Sequence, residues 1–188
     1  MSYAEVFRRI VWHLDRHGIA YMLVGSFASA YFGALRTTVD VDIVIEATPE
    51  QLRGLVTDLQ ASDYYAELDA ALDALKHESL FNAIDKTSGW KIDLIIRKSR
   101  PFDHEGFRRR VAAKLFDIQL FVASAEDVII SKLEWTKLGG SQRQIEDVAK
   151  VLTAQWKTLD QIYLSKWIGE LELQEQWSAA KRSAEIAD

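Results

Sequence analysis

Cysteine is absent from this chain of 188 residues, and proline occurs only twice. Without cysteine the chain can form neither a disulfide framework nor a thiolate metal site, which fits a reducing compartment. The opening residues, MSYAEVFRRIVWHL, lack the basic-then-apolar layout of a signal peptide. No apolar run approaches the roughly 20 residues that a membrane span needs. We therefore expect a cytoplasmic protein that does not enter a membrane.

Positive charge is scarce in the chain as a whole but concentrated in one segment. The chain has 23 lysines and arginines against 28 aspartates and glutamates, a net charge of −5. This balance argues against a broadly basic nucleic-acid surface. Between Arg97 and Lys114, however, seven basic residues meet only two acids, which gives this stretch a local charge of +5. We refer to residues 97–114 as the basic segment.

Hydrophobic periodicity divides the chain into a mixed α/β core over residues 1–123 and a helical C-terminal part over residues 124–188. The predicted strands are 20–24, 39–45, 80–84, 91–96 and 118–122. The predicted helices are 4–17, 26–32, 49–59, 66–75, 125–137, 141–154, 159–169 and 171–184. The pattern therefore predicts an α+β fold.

Two aspartates interrupt the strand predicted at 39–45. Residues two apart on a strand share a face, so Asp40 and Asp42 point the same way while their neighbours face the core. A carboxylate taken out of water is costly unless a cation or hydrogen-bond donors meet it. Asp93 interrupts a second apolar strand in the same manner. If the two strands are neighbours, the three acids converge and can hold two Mg²⁺ or Mn²⁺ ions about 3.5 to 4 Å apart, as in phosphoryl transfer.

Gly25 and Ser26 follow the first strand and open a short helix. Glycine allows a tight turn and a close approach to a ligand, and the free N–H groups of a helix start attract an anion. We therefore expect a phosphate here, with Ser26 as a donor. The alternative is an ordinary helix cap without a ligand.

The order of these residues resembles the nucleotidyltransferase superfamily, the polymerase-beta-like fold. Gly25-Ser26 is followed by thirteen residues, then by Asp40-Val41-Asp42, and later by the strand aspartate Asp93. The resemblance covers roughly residues 20–153. It implies a mixed β-sheet flanked by helices, with a helical C-terminal part.

Two further stretches resemble the toxin-type branch related to abortive-infection nucleotidyltransferases. They are RTTVD at 36–40 and EDVIISKL at 126–133, the latter followed by Arg143 and Asp147. The chain departs from this pattern where Glu146 replaces an expected basic residue and Lys150 replaces the last acid. The helical motif is therefore weaker than the strand motif.

The resemblance implies a role for each motif residue. Three acids are implied to be catalytic and to bind the metal: Asp40, Asp42 and Asp93. Five residues are implied to bind the nucleotide: Gly25, Ser26, Arg36, Lys132 and Asp147. The cofactor implied is Mg²⁺ or Mn²⁺, and Asp93 is also expected to assist the acceptor.

Several of these residues have simpler interpretations. Lys132 is also typical of a lysine that extends along the surface of an amphipathic helix, and Arg143 with Asp147 of an exposed helical ion pair. The tryptophans are expected to pack helices rather than to stack on bases; they include Trp135, Trp156, Trp167 and Trp177. Arg8 and His13 match the Arg-x4-His spacing of a family of small helical ribonucleases, a pattern common by chance, so we expect His13 on the helix surface.

We predict a metal-dependent nucleotidyltransferase that transfers an NMP from an NTP to an acceptor, either RNA of a tRNA-like kind or a protein. The resemblance implies a toxin–antitoxin or phage-defence system, with a cognate antitoxin or toxin as partner. Because the basic segment directly follows the strand of Asp93, its arginines are expected to begin near the site and to attract the acceptor; the alternative is a solvated segment that balances the acidic helices. Two other functions are a non-catalytic nucleotide- or partner-binding protein of the same fold and an RNA-binding module that uses the basic segment.

Overall fold

The structure is a computed structural model, and it describes residues 3–38 and 40–186. The helices are α1 (Tyr3–Arg16), α2 (Gly25–Tyr31), α3 (Pro49–Ala61), α4 (Leu68–His77), α5 (Pro101–Arg108), α6 (Ala125–Gly139), α7 (Gln142–Gln155), α8 (Gln161–Glu170) and α9 (Gln174–Ser183). The strands are β1 (Ala20–Leu23), β2 (Asp40–Glu46), β3 (Tyr64–Tyr65), β4 (Leu80–Asp85), β5 (Lys91–Ile96), β6 (Val111–Leu115) and β7 (Ile118–Val122). None of the helices described is both long enough and apolar enough to cross a membrane.

The described residues form two compact units. The first takes in those of Met1–Val24 and Thr38–Val122, and the second those of Gly25–Thr37 and Ala123–Asp188. In the first unit, one mixed sheet has the strand order β3-β4-β5-β2-β1-β7-β6. β2 runs parallel to β5 and antiparallel to β1, and β7 runs parallel to β1. The predicted α+β fold with a mixed sheet is confirmed.

The central strands bury one face and leave the other open. In β2, the buried residues are Val41, Ile43 and Ile45, and the residues between them are partly exposed. β5 repeats this alternation. Because side chains alternate across a strand, a slip of one residue would expose the whole apolar set, so the pattern fixes the register. The strand predicted at 39–45 is confirmed from Asp40 onward, and Val39 lies outside the described residues.

α1 and α3 pack together in the first unit, and α1 also contacts β1 and β7. α3 begins as predicted, with Thr48 as N-cap and Pro49 in the first turn. The Thr48 hydroxyl accepts a hydrogen bond from the Gln51 amide, and the Gln51 side chain accepts one from the Thr48 amide. Such a reciprocal cap satisfies two N–H groups that the helix itself leaves without acceptors.

His13 lies in the core of this unit, so the prediction of a surface position is wrong. It follows Ile10 by three residues and therefore falls on the buried stripe of α1, where its exposed fraction is 2%. The ring meets Tyr64 edge to face, with centroids 5.8 Å apart. Burial lowers the pKa of His13, because a protonated imidazole is poorly solvated there.

The second unit contains α2 and the C-terminal helices. Ser124 and Asp160 are the N-cap residues of α6 and α8. The side chain of each accepts a hydrogen bond from a backbone amide in the first turn, as is typical of N-cap residues. The Tyr163 hydroxyl donates to Asp127 Oδ1 over 2.6 Å, which helps to satisfy a buried carboxylate. Helix packing is the observed role of several tryptophans: Trp167 is buried, and Trp156 stacks on Trp177 with centroids 6.2 Å apart. Trp135 is 66% exposed, so the prediction that it packs is wrong.

Three elements of the first unit were not predicted: β3, α5 and β6. β3 has two residues, too few to show a period. β6 has the sequence VAAKL, in which alanines replace the β-branched and aromatic residues typical of strands. α5 is eight residues long and contains Gly106, which weakens its helical pattern. The helix predicted at 66–75 is α4, displaced by two residues.

Candidate active site

The parallel pairing of β2 with β5 brings the three predicted acids together. Asp42 and Asp93 are direct partners across the two strands, and Asp40 is the partner of Lys91. Neighbouring strands lie about 4.8 Å apart, and residues two apart share a face. Asp40, Asp42 and Asp93 therefore lie on the open face, at the starts of both strands. The expectation that the two strands are neighbours is confirmed.

Lys91 and Asn82 are two further polar residues of this group. The Lys91 ammonium lies 3.1 Å from Asp93 Oδ2 and 4.0 Å from Asp40 Oδ1. Asn82 is the partner of Asp93 on β4, and its side-chain amide donates to Asp93 Oδ1. The hydrogen bond to Asp93 raises the pKa of Lys91 against the opposing effect of burial, and the charges of the acids raise it further. We call Asp40, Asp42, Lys91, Asp93 and Asn82 the acid cluster.

The donor chemistry of the acid cluster fits a divalent cation. Among residues 3–38 and 40–186, no three acidic or imidazole side chains are already gathered as metal ligands. Carboxylate oxygens are the donors that Mg²⁺ and Mn²⁺ prefer. Three carboxylates on adjacent positions repel one another, and the ammonium already lying between two of them shows that the cluster attracts positive charge.

The end of β1 is fixed against β2 next to Asp42. The Val24 amide donates to the Asp42 carbonyl over 3.0 Å, which fixes the end of β1 against β2. The next residue, Gly25, has a φ of +63°, in the left-handed region that favours glycine. A side chain at this position would strain the backbone by roughly 1 to 2 kcal/mol. The predicted glycine turn is therefore observed at Gly25.

Four of the predicted nucleotide-binding residues form an ionic cluster in the second unit. Asp147 is 2% exposed, and its Oδ2 accepts a hydrogen bond from the Lys132 ammonium over 2.8 Å. Arg36 Nε lies 3.2 Å from the same oxygen, and Arg36 Nη2 donates to the Ser26 hydroxyl. Lys132 also donates to Gln144 Oε1 over 2.8 Å. We call Ser26, Arg36, Lys132 and Asp147 the Asp147 cluster.

The Asp147 cluster contradicts the simpler interpretations of its sequence motif. Lys132 is 5% exposed, so it does not extend along the helix surface. Asp147 is buried between cations from two other elements, so the interpretation as an exposed pair with Arg143 is wrong. Two cations meet one carboxylate, which leaves a formal charge of +1. An arrangement of this charge is suited to an anion such as phosphate.

The basic segment begins far from the acid cluster. Arg97 follows the end of β5 and pairs with Glu46 at the end of β2, with an N to O distance of 2.6 Å. Arg97 is four positions after Asp93, a distance of about 13 Å along a strand. The expectation that the segment begins near the acids is therefore wrong. Part of its charge is also neutralised, because Arg100 pairs with Asp103 and Lys114 pairs with Asp117.

The later part of the basic segment returns to the acid end of the sheet. A row of paired residues crosses from β6 to β2: Val111, Val122, Leu23 and Ile43. Ile43 directly follows Asp42, so this row lies at the same end of the sheet as the acids. The start of β6 is three strands from β2 along the row, a distance of about 14 Å. Arg110 precedes this row, and its guanidinium lies over the rings of Phe107 and Phe121 at 4.6 and 5.1 Å.

Comparison with known proteins identifies the fold. No protein-family model and no curated protein matches the sequence. The solution structure of the antibiotic-resistance factor ANT(2″)-Ia matches 95% of this chain and 98% of its own, with a TM-score of 0.61 at 13% identity. A crystal structure of ANT(2″)-Ia in complex with adenylyl-2″-tobramycin matches 95% of this chain and 96% of its own, with a TM-score of 0.57 at 13% identity.

A second protein gives a similar result. The lincosamide antibiotic adenylyltransferase LnuA, in a crystal structure with lincomycin bound, matches 80% of this chain and 96% of its own. The TM-score is 0.54 at 12% identity. These structural similarities confirm the predicted nucleotidyltransferase-type fold.

Proposed function

We propose that this protein is a metal-dependent nucleotidyltransferase that transfers an NMP from an NTP to a hydroxyl group of an acceptor. The observation that carries the proposal is the acid cluster: three aspartates at neighbouring positions on one face of β2 and β5, two of which contact the Lys91 ammonium. An ordinary strand does not concentrate negative charge in this way, because like charges on neighbouring positions destabilise a sheet. The nucleotidyltransferase-type fold supports the same function.

The acids have distinct roles in the proposal. Asp40, Asp42 and Asp93 would hold Mg²⁺ or Mn²⁺, which would neutralise phosphate charge when bound. The side chain of Asp93 is 13% exposed, against 47% for Asp40. Asp93 is held in place by its contacts with Asn82 and Lys91. We therefore assign Asp93 the additional role of accepting the proton of the acceptor hydroxyl.

The Asp147 cluster would bind phosphate. Ser26 would donate a hydrogen bond, and Arg36 and Lys132 would supply positive charge, which suits the leaving pyrophosphate. Gly25 would let the backbone approach the nucleotide. Asp147 would act as a positioning residue, since its carboxylate accepts from Lys132 and pairs with Arg36.

The function is tested by incubating the protein with each α-labelled NTP, Mg²⁺ or Mn²⁺, and a panel of acceptors. Asp40→Asn and Asp42→Asn are each expected to lower label transfer by at least about a hundredfold, because they remove metal ligands. The matched control is Glu50→Gln, which neutralises an exposed acid in the first turn of α3 and should transfer label normally. Full transfer by either aspartate variant would contradict the proposal. Nucleotide binding without transfer to any acceptor would favour the non-catalytic alternative.

The acceptor panel separates three proposals. The toxin-type motifs favour RNA of a tRNA-like kind or a protein. A small hydroxylated molecule is favoured by a different observation: the fold match to ANT(2″)-Ia, whose complex contains adenylyl-2″-tobramycin, spans nearly the whole chain. The panel should therefore contain tRNA, cell protein, and aminoglycoside and lincosamide antibiotics. The class that takes up label identifies the acceptor.

A role as a toxin with a cognate antitoxin remains part of the proposal for the RNA or protein acceptor. Induced expression of the protein should then arrest growth, and Asp42→Asn should abolish the arrest without changing protein level. Growth arrest by both proteins would separate toxicity from catalysis and contradict this role.

A further inference from the structure

Lys91 places an ammonium group among the carboxylates of the acid cluster. Its Nζ lies 3.1 Å from Asp93 Oδ2 and 4.0 Å from Asp40 Oδ1. The position follows from the sheet, because Lys91 is the strand partner of Asp40 and is two residues from Asp93 on the same face. The Lys91 side chain is 43% exposed, so the ammonium can move toward solvent.

Asp93 has hydrogen-bonding or ionic contacts at both carboxylate oxygens. Asn82 donates to Oδ1, and Lys91 contacts Oδ2. A divalent ion bound to Asp93 and Asp40 would lie within a few ångströms of the ammonium, where like charges repel strongly. The ion and the ammonium therefore compete for the same two carboxylates.

We propose that Lys91 is a tethered counter-ion of the metal site, which holds the carboxylates together in the metal-free protein and is displaced from Asp93 by the divalent ion. Lys91 thereby weakens metal binding and protects the sheet from the repulsion of three acids. Its flexible four-carbon stem lets the ammonium leave without a shift of β5. This inference rests on the proposed function, because it takes the three acids as metal ligands.

The test measures Mn²⁺ binding to the full chain without nucleotide, from the electron paramagnetic resonance signal of free Mn²⁺. Lys91→Met removes the charge and keeps most of the stem, while Lys91→Arg keeps the charge. Lys76→Met is the matched control, because Lys76 is an exposed lysine in the last turn of α4 in the same unit. Lys91→Met should bind Mn²⁺ at least about tenfold more tightly than wild type, as expected when a unit charge about 4 Å from a divalent ion is removed at a hydrated site. The Lys91→Arg and Lys76→Met variants should bind Mn²⁺ as wild type does.

A second measurement separates this role from simple stabilisation of the sheet. Without metal, Lys91→Met should lower the Tm relative to Lys76→Met, because three carboxylates lose a counter-ion. Added Mn²⁺ should then raise the Tm of Lys91→Met more than that of wild type, because a ligand stabilises a protein in proportion to its affinity for the folded state. A merely structural lysine would lower the Tm without tightening Mn²⁺ binding.

Each other outcome has a distinct meaning. Unchanged or weaker Mn²⁺ binding by Lys91→Met would overturn the counter-ion proposal and leave the metal site intact. No Mn²⁺ binding by wild type or Lys91→Met would overturn both the counter-ion and the assignment of the acids as ligands. Tighter binding by Lys91→Met, with no nucleotide transfer by wild type, would support the counter-ion and overturn the proposed function alone.

Discussion

Asp147 is the carboxylate that Lys132 and Arg36 of the second unit share. It is buried, and it pairs with both Lys132 and Arg36. Burying a charge costs several kcal/mol unless partners of opposite charge meet it, and removing one partner leaves the others uncompensated. Asp147 is therefore expected to matter for folding as well as for phosphate binding.

Replacement of Asp147 tests this expectation. Asp147→Asn keeps the shape of the side chain but removes its charge, and it should lower the free energy of unfolding by about 3 to 5 kcal/mol, since two cations lose their buried partner. Urea unfolding measures the change. Arg143→Met is the matched control, because Arg143 lies on the exposed side of the same helix; its effect should stay within about 0.5 kcal/mol. Equal losses in both variants would contradict the expectation that the buried charge of Asp147 stabilises this unit.

The residues of the acid cluster differ in how far they could be predicted from the sequence. Asp42 and Asp93 stand out because each interrupts a run of β-branched and apolar residues. Lys91 does not, because a lysine at the start of a strand is typical of an exposed position. Asn82 became relevant only through its pairing with Asp93 across β4 and β5, and that register is a long-range property.

At the scale of the secondary-structure elements, the strands with strict alternation were predictable and the irregular ones were not. β2 and β5 alternate buried and partly exposed residues along their length, so the two-residue period of the sequence matches the burial observed in the sheet. β6 buries one residue of five, and α5 is two turns long. Short elements of this kind are stabilised by their neighbours more than by their own sequence, which is why local patterns missed them.

The buried stripe of α1 makes the stability of the protein depend on pH through His13. Burial lowers the pKa of His13 in the folded state below its ordinary value of 6.5. Below that pH the unfolded chain binds a proton that the folded chain resists, so the free energy of unfolding should decrease as the pH falls from 6.5. Well above pH 6.5, where the imidazole is neutral in both states, His13 should contribute no slope.

Urea unfolding between pH 7.5 and about 5 measures this dependence; ordinary carboxylates titrate mostly below that window. His13→Phe should reduce the slope below pH 6.5, because it removes the group that titrates. His104→Gln is the matched control, since His104 is exposed on α5, and it should retain the slope of the wild type. A wild-type slope in His13→Phe would place the titrating group elsewhere.

For the whole molecule, the order of the motifs predicted the fold, whereas the grouping of the elements into units needed the structure. Gly25–Thr37 belongs with the second unit although the residues on both sides belong to the first. The hydrophobic periodicity of a sequence indicates that a helix buries one face, but it does not indicate which element covers that face. The seven residues of α2 carry no charge that would indicate a partner. The motif that resembles the nucleotidyltransferase superfamily, in contrast, depends only on the order and spacing of residues along the chain.

The charge of the whole molecule is unevenly distributed, which bears on how the proposed acceptor would be attracted. The protein carries a net charge of −5, but the later part of the basic segment lies at the acid end of the sheet. Arg108 is exposed and precedes Val111 by three residues, so it lies within about 11 Å of the start of β6, which is three strands from β2 in the sheet. Lys98 is equally exposed but follows the opposite end of β5. These two residues provide a matched pair of sites for charge reversal.

We predict that Arg108→Glu slows labelling of an anionic acceptor and that Lys98→Glu does not, although both variants change the net charge by the same amount. A cation at the acid end of the sheet raises the local concentration of a polyanion, so the loss should appear in the acceptor KM and leave NTP binding unchanged. If the acceptor is RNA, wild-type affinity should also fall with salt, by a slope of roughly 0.7 per phosphate contacted on a single strand. The measurement is the initial rate of labelling against acceptor concentration at two salt concentrations. Equal effects of the two reversals would mean that net charge alone attracts the acceptor, and no effect of either would show that neither Arg108 nor Lys98 takes part in acceptor binding.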